Sequence, residues 1–197
     1  LILRALLENY KGKIQVVGIN DLGSIEANAH LIKFDSTHGT LNHEVKTTKE
    51  GFQIGDQNIK VFAERDPAKL PWGKIGADVV LECTGFFLDK KTAGKHIEAG
   101  AKKVIISAPA KEVDFTVVQG VNSKDLKKEH NVISNGSCTT NCLAPVAMVL
   151  EKNFGINYGY MTTIHSYTGD QKLLDTLHKD LRRARATEGS MIPTSTG

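Results

Sequence analysis

A cysteine and a histidine stand where their side chains could act together as a nucleophile and a base. Cys138 lies among small hydroxyl residues at the start of an apolar helical pattern, and His165 follows at the end of a β-rich run. A thiol at a helix N-terminus is biased toward thiolate by the helix dipole, and a nearby imidazolium biases it further. These are the conditions that a cysteine nucleophile with a histidine base requires, although the spacing of the two residues does not by itself select this interpretation. From the residues alone, the alternative is that Cys138 and Cys142 are buried thiols on one helical face.

The elements that must position these residues are predicted to alternate between strands and helices. Strands are indicated at residues 14–20, 79–83, 103–107, 116–119 and 131–134, short antiparallel strands within 44–63, and helices at 1–10, 24–33 and 90–99. This alternation is typical of an α/β fold with a doubly wound, mostly parallel sheet of the Rossmann type. A long helix from Cys138, a strand at 158–165 and an Arg-rich loop follow. We therefore expect a nucleotide-binding domain at 1–137 and the start of an α+β catalytic domain at 138–197.

Composition narrows the class of protein. The 25 basic and 22 acidic residues give a net charge of +3 without a dense basic run, so nucleic-acid binding is not predicted. No apolar stretch approaches the roughly 18 residues of a membrane span. Three cysteines without a CxxC pair predict neither a disulfide framework nor a metal site, and a reducing, cytoplasmic setting fits. The chain starts within a helical pattern without methionine, which we interpret as a fragment of a longer protein.

An acidic residue stands where a dinucleotide-binding fold needs one. Asp21 ends the predicted strand 14–20, where a carboxylate can accept hydrogen bonds from the ribose hydroxyls of NAD. A carboxylate at this point disfavours the extra phosphate of NADP. The alternative is an ordinary turn or cap aspartate. No GxGxxG turn occurs in the chain, so the usual anchor of the pyrophosphate is not among these residues.

The motifs together resemble the phosphorylating glyceraldehyde-3-phosphate dehydrogenase family. Ser134-Asn-Gly-Ser-Cys-Thr-Thr-Asn-Cys142 and Thr162-Thr-Ile-His-Ser-Tyr-Thr168 carry most of the resemblance. It extends in order through Glu64-Arg-Asp-Pro67, Val79-Val-Leu-Glu-Cys-Thr-Gly85, Lys103-Val-Ile-Ile-Ser-Ala-Pro109, His178-Lys-Asp-Leu-Arg-Arg-Ala-Arg185 and Ile192-Pro-Thr-Ser-Thr-Gly197. Essentially the whole chain is covered. Gly136 stands where the family pattern leads us to expect alanine.

The resemblance implies an NAD-dependent, glycolytic oxidation of glyceraldehyde 3-phosphate with inorganic phosphate, by a homotetramer. It assigns Cys138 as the nucleophile and His165 as the base. Cofactor contacts implied with Asp21 are Arg65, Thr84, Gly85 and Ser107. Substrate and phosphate contacts implied are Ser137, Thr139, Thr168, Arg182, Thr196 and Gly197. The Gly-rich turn and the rest of the catalytic domain are expected outside residues 1–197, and the segment from Tyr167 to Ile192 is expected at a subunit interface.

Other functions remain open at this point. Erythrose-4-phosphate dehydrogenase would share the cysteine and the histidine, although Tyr167-Thr168 and Ala108-Pro109 look more like the triose enzyme. Aspartate-semialdehyde-type dehydrogenases share the chemical logic but not these motifs. A Cys–His hydrolase would need no cofactor, which Asp21 and the sheet pattern argue against. A non-catalytic fragment that keeps only an assembly surface is the remaining alternative.

Overall fold

The structure is a computed structural model that describes residues 1–10, 12–189 and 191–196. The helices are α1 (Ile2–Asn9), α2 (Ile25–Lys33), α3 (Lys90–Ala93), α4 (Lys95–Glu98) and α5 (Cys138–Phe154), with 3-10 turns at Pro67–Lys69, Ser123–Asp125 and Leu181–Arg183. The strands are β1 (Gly18–Asn20), β2 (Phe34–Asp35), β3 (Gly39–Thr40), β4 (Val45–Thr47), β5 (Gly51–Ile54), β6 (Gln57–Phe62), β7 (Val79–Glu82), β8 (Lys103–Ile106), β9 (Phe115–Thr116) and β10 (Val132–Ser134). The described residues form two compact units, 1–115 with 127–134 and 116–126 with 135–197.

The first unit begins with a sheet in the strand order β1-β6-β5-β4. β1 and β6 are parallel, with Ile19 opposite Val61, whereas β4, β5 and β6 are antiparallel. Along β5 the side chains of Phe52 and Ile54 are buried and Gln53 is exposed, because successive side chains of a strand point to opposite faces. The apolar cluster that they join is completed by Leu7 of α1, Ala29 of α2, Leu41 and Ile59.

The second sheet of this unit has the order β7-β8-β10-β9. Its β7–β8 and β8–β10 pairs are parallel, and the α3–α4 segment provides the crossover that the parallel pair β7–β8 requires. Val80, Val104 and Val132 come from three neighbouring strands and pack in one core with Trp72. Because parallel strands end at the same edge, the residues that follow β7 and β8 are presented together.

The predicted α/β class with parallel strand pairing is confirmed, and so are the short antiparallel strands within 44–63. The helix predicted at 90–99 is interrupted at Gly94, the residue type with the weakest helix propensity after proline. Of the strand predicted at 14–20 the structure keeps Gly18–Asn20 as β1, and before it the N–H of Val16 bonds the side chain of Gln57. The strand predicted at 116–119 shortens to Phe115–Thr116.

The strand predicted at 158–165 is wrong. These residues have irregular backbone, because a strand needs a neighbour and no described residue pairs with them. The main element of the second unit is α5, which contains Pro145. Several apolar side chains of this helix are exposed, among them Val146 and Phe154. The boundary predicted at residue 137 stays a prediction. Within the part of the chain that the structure describes, no helix is long and apolar enough to cross a bilayer.

Candidate active site and cofactor edge

The first turn of α5 holds Cys138 in a fixed place. Ser137 is the N-cap: its Oγ accepts from the backbone N–H of Thr140 at 2.9 Å, which satisfies one of the free donors at the helix start. The amide of Asn141 donates to the carbonyls of Asn135 and Ser137 at 2.6 and 2.9 Å. Ser137 and Thr139 are buried, whereas Cys138 between them is exposed. The sequence therefore builds a rigid turn that presents one thiol to solvent.

His165 faces this thiol. Nε2 of His165 lies 3.0 Å from Sγ of Cys138, and Nδ1 lies 2.6 Å from the carbonyl oxygen of Ser166. A carbonyl can only accept, so the proton of a neutral ring is held at Nδ1 and Nε2 is free to accept the thiol proton. The predicted pairing of Cys138 with His165 is thus present in the structure.

The electrostatics of the pair favour the ionised thiol. The hydrogen bond with His165 is the largest influence on the pKa of Cys138 and lowers it; burial opposes this shift and the N–H of Thr139 adds to it, so the pKa lies below its ordinary value. The pKa of His165 is raised, first by the Ser166 carbonyl and then by the sulfur. Each partner stabilises the charged form of the other, which is the condition for a reactive cysteine at neutral pH.

A hydroxyl pair extends the site on the other side of the first turn. Oγ1 of Thr139 lies 2.7 Å from Oγ1 of Thr196. The segment that carries Thr196 is held by Arg183, whose guanidinium donates to Oγ1 of Thr194 and to the carbonyl of Ser195 at 3.1 and 2.6 Å. Gly197, the other residue expected here, lies outside the described residues.

Two residues predicted to bind phosphate, Arg182 and Thr168, make hydrogen bonds to other side chains in the structure. Arg182 makes a two-point ion pair with Asp180 at 3.0 and 2.8 Å, which lowers the pKa of that carboxyl. Thr168 is held in a local turn, because its N–H donates to the side chain of Gln171 at 2.6 Å. In the described contacts neither residue bonds Cys138 or His165. The sequence analysis assigned a phosphate contact to Arg182 and did not single out Arg183, which holds the segment with Thr196. Two adjacent arginines have the same chemistry, so the sequence contains no signal that distinguishes their roles.

At the carboxyl ends of β1 and β6 the structure places Asp21 and Arg65. Oδ1 of Asp21 accepts from the N–H of Gly23 at 2.7 Å and from the amide of Asn28 at 3.2 Å. Asn20 makes two bonds with the backbone of Glu64, both at 2.9 Å, which hold the start of the following segment beside β1. Asp21 and Arg65 are both exposed. The two bonds to Oδ1 fix the orientation of the exposed Asp21 carboxylate. Its other oxygen, Oδ2, can accept hydrogen bonds from the two hydroxyls of a ribose.

The ends of β7 and β8 contribute the other predicted cofactor contacts. Thr84, Gly85 and Ser107 are exposed, and the N–H of Ser107 donates to the carbonyl of Glu82 at 3.0 Å. Gly85 has a φ of 75°, which glycine adopts without strain, and open space around its α-carbon. A carboxylate, hydroxyls and free backbone at the carboxyl edge of parallel strands are the donor and acceptor set that a dinucleotide requires, so these residues fit NAD.

Sequence reasoning missed three residues behind this edge: Glu82, His96 and Trp72. Glu82 and His96 are buried and hydrogen-bonded to each other at 2.9 Å. A glutamate within the apolar run Val79-Val-Leu-Glu82 was the available signal, because a carboxylate is rarely buried without partners. Among the described residues no three His, Cys, Asp or Glu side chains gather in a way that could hold a metal ion.

Comparison with known proteins identifies the family of the chain. Residues 1–90 match the sequence model "Glyceraldehyde 3-phosphate dehydrogenase, NAD binding domain", and residues 137–197 match the C-terminal domain of the same enzyme. Similar proteins include a glyceraldehyde-3-phosphate dehydrogenase of Xanthobacter flavus, 57% identical over 196 residues, and one of Geobacillus stearothermophilus, 56% identical over 197 residues. Glyceraldehyde-3-phosphate dehydrogenase 1 of Bacillus cereus is 55% identical over 197 residues. Each match takes in 100% of this chain but 58% of the relative. With both domain models and relatives along its whole length, the chain belongs to the glyceraldehyde-3-phosphate dehydrogenase family.

Proposed function

We propose that the protein carries out the NAD-dependent oxidative phosphorylation of glyceraldehyde 3-phosphate to 1,3-bisphosphoglycerate, as a glycolytic enzyme. The observation that carries this proposal is the 3.0 Å contact between Sγ of Cys138 and Nε2 of His165 at the start of α5. A thiol that needs only a nearby base to become a thiolate is suited to attack an aldehyde carbon. The names of the similar proteins supply the substrate, and the chain spans 58% of their length.

The chemistry of the proposed reaction follows from the pair. The Cys138 thiolate adds to the aldehyde carbon, and the carbonyl oxygen takes up a proton to give a hemithioacetal. Nε2 of His165 then removes the hydroxyl proton, which its raised pKa allows it to hold. NAD, when bound, would accept the hydride that leaves the same carbon, which accounts for the two electrons of the oxidation. The thioester left on Cys138 keeps the acyl group activated, and an oxygen of inorganic phosphate displaces the thiolate to form the acyl phosphate.

We propose that the phosphate groups are bound by hydroxyls beside the first turn of α5. Thr139 and Thr196 bring two hydroxyls together at the N-terminus of α5, the end of a helix whose dipole favours anions. Ser137 orients this turn as its cap. Thr168, Arg182 and Gly197 remain proposals for which the described contacts give no direct support.

We place NAD along the first unit, with Asp21 on the ribose hydroxyls, Arg65 after β6, and Thr84, Gly85 and Ser107 at the carboxyl ends of β7 and β8. The donor set described above supports this assignment. Assembly into a homotetramer and a cytoplasmic location complete the proposal. The reducing setting that a free nucleophilic thiol requires is consistent with three cysteines that the structure leaves unpaired.

The test combines thiol chemistry with turnover. Iodoacetamide labelling followed by peptide mass spectrometry reports Cys138, Cys142 and Cys83 in one sample, and all three are exposed. We expect Cys138 to react first, with a pH profile displaced below that of an ordinary thiol. NADH absorbance is then followed with glyceraldehyde 3-phosphate, NAD and phosphate. Cys138→Ser should abolish turnover, whereas Cys142→Ser on the same helix should preserve it.

The outcomes separate the alternatives. NADH formation that depends on phosphate and on Cys138 supports the proposal. NADH formation without phosphate dependence would identify a different aldehyde dehydrogenase chemistry, and faster turnover of erythrose 4-phosphate would identify the sister enzyme. A reactive Cys138 without any NADH formation would show that this chain alone is the non-catalytic alternative.

A further inference from the structure

A chain of buried polar side chains lies behind the cofactor edge of the first unit. Nε1 of Trp72 donates to Nδ1 of His96 at 2.9 Å, and Nε2 of His96 lies 2.9 Å from one carboxylate oxygen of Glu82. The other oxygen accepts from the N–H of Thr84 at 2.7 Å and also from its hydroxyl. Trp72, His96 and Glu82 are each 3–4% exposed. We refer to these three residues as the buried triad.

The chemistry of the buried triad allows one arrangement. An indole N–H can only donate, so Nδ1 of His96 accepts and the ring proton is held at Nε2, from which it is donated to Glu82. Burial works to raise the pKa of Glu82, but the hydrogen bonds from His96 and Thr84 outweigh it, and the pKa lies below its ordinary value. The carboxylate is therefore an ionised acceptor with three donors, which removes the penalty of burying it.

The turn that follows β7 rests on this triad at two points. The hydroxyl of Thr84 donates to Glu82 and accepts from the N–H of Phe86 at 3.1 Å, so its single proton is already committed. Phe87, on the far side of the turn, meets the ring of His96 edge to face at 6.4 Å. None of the hydrogen bonds in the described part of the chain engages the backbone N–H or C=O of Gly85.

Two glycines allow the backbone near Trp72 to approach the backbone near His96 closely. A Cβ built on Gly100, which has a φ of 102°, would lie 2.6 Å from the α-carbon of Gly73. The N–H of Gly73 donates to the carbonyl of Ala99 at 3.0 Å. Two glycines therefore let the segment with Trp72 close against the end of α4, which carries His96.

We propose that Glu82 and His96 are positioning residues for NAD binding, which with Trp72 hold the Thr84–Gly85 turn in the shape that presents its backbone to the cofactor. The inference rests on the proposed function, because it takes this edge as the NAD site. It changes the role of Thr84 from a direct contact to the anchor of the turn. None of the three triad residues touches the cofactor in this account.

The test uses Glu82→Gln, which keeps the size of the side chain and turns one acceptor into a donor. In one orientation the new NH₂ group faces the N–H of His96, and in the other it faces the N–H of Thr84. Either way two donors meet where a donor and an acceptor met before. We expect the Thr84 and Gly85 amide signals to shift or broaden in ¹H–¹⁵N spectra without ligand. We expect NAD, measured by calorimetry, to bind about tenfold more weakly.

A second variant separates positioning from general stability. Trp72→Phe removes the donor that holds the tautomer of His96, so in this background the ring can move its proton to Nδ1 and accept from the new amide. The weakening caused by Glu82→Gln should then fall to about threefold or less. Val80→Ala is the matched control, because it loosens the core that Trp72 shares with the same strand but removes none of the hydrogen bonds of the triad. It should leave the turn signals and NAD affinity unchanged.

Unchanged Thr84 and Gly85 amide signals in Glu82→Gln would overturn the proposal. It would also be overturned if Glu82→Gln weakened NAD binding equally with and without Trp72→Phe, or if Val80→Ala weakened NAD binding as much as Glu82→Gln does. Altered turn signals with unchanged NAD affinity would show that the triad holds the turn but that the turn does not position NAD. Failure of the unaltered protein to bind NAD would overturn the cofactor assignment itself. Calorimetry distinguishes that result from failure of the positioning proposal alone, in which the unaltered protein and the variants all bind NAD equally well.

Discussion

Replacing Asp114 with asparagine should destabilise the first unit by an amount that the structure sets. Oδ2 of Asp114 accepts from the N–H groups of Asn131 and Val132 at 2.8 and 2.9 Å, and Oδ1 pairs with Lys90 at 2.6 Å. The ion pair with Lys90 and the backbone donors lower the pKa of Asp114 from 3.8 to about 2. At about 1.4 kcal/mol per pKa unit the shift corresponds to about 2.5 kcal/mol. Because Lys90 is 55% exposed and water screens it, we expect about 2 kcal/mol.

The sign of the pH dependence follows from the lowered pKa. The stabilisation by Asp114 is complete above about pH 4, the ordinary carboxyl range, and is lost as the pH falls toward about 2. The difference in unfolding free energy between Asp114→Asn and the unaltered protein should therefore be full at pH 7 and shrink below pH 4. Urea unfolding followed by the emission of Trp72 measures it, because this sole tryptophan lies in the core of the same unit.

Asp78→Asn provides the control for that experiment. Asp78 pairs with Lys102, but the two side chains are 69% and 79% exposed, so the change should leave the free energy of unfolding nearly unchanged. Equal stability of Asp114→Asn and the unaltered protein at pH 7 would refute the reasoning. A difference that stayed constant from pH 7 to pH 3 would contradict the assignment of the effect to the charge.

Three further predictions concern the two sites. His165→Gln should raise the pKa of Cys138 and displace its alkylation profile to higher pH, because the largest lowering influence is removed; an unshifted profile would contradict the pairing. Ser137→Ala should cost about 1 kcal/mol of stability and speed amide exchange at Thr140, whose N–H it leaves without its cap; unchanged exchange would show that the cap contributes nothing. Asp21→Gly should narrow the preference for NAD over NADP in competition binding, and an unchanged ratio would show that this carboxylate does not read the ribose.

The features that sequence predicted best are those with local causes. The predicted helix starts at Cys138 and at residue 24 agree with α5 and α2 to within one residue, since Ser137 caps α5 and Ser24 caps α2 by accepting from the N–H of Ala27 at 3.1 Å. Capping depends on residues within one turn, so a linear pattern contains it. Short apolar runs likewise located β7 and β8 to within one residue.

The features that sequence missed depend on partners far along the chain. The strand expected at 158–165 failed because pairing is a property of two segments, and the apolar pattern of one cannot supply the other. His96 and Trp72 are brought to Glu82 by the packing of α4 and the Gly73–Gly100 approach, neither of which has a periodic signature. Spacing also could not bring His165 to Cys138; that expectation came from the resemblance of whole motifs.

The proline within α5 divides the helix that begins at the nucleophile. Pro145 has no amide hydrogen, so the bond that would return to the carbonyl of Asn141 is missing one turn after Cys142. The turn from Cys138 to Asn141 is instead tied to the segment before it, through Ser137 and Asn135. Amide exchange along α5 should fall into two blocks that meet at Pro145. The turn that presents Cys138 and the part of α5 beyond Pro145 can therefore open to solvent independently of each other.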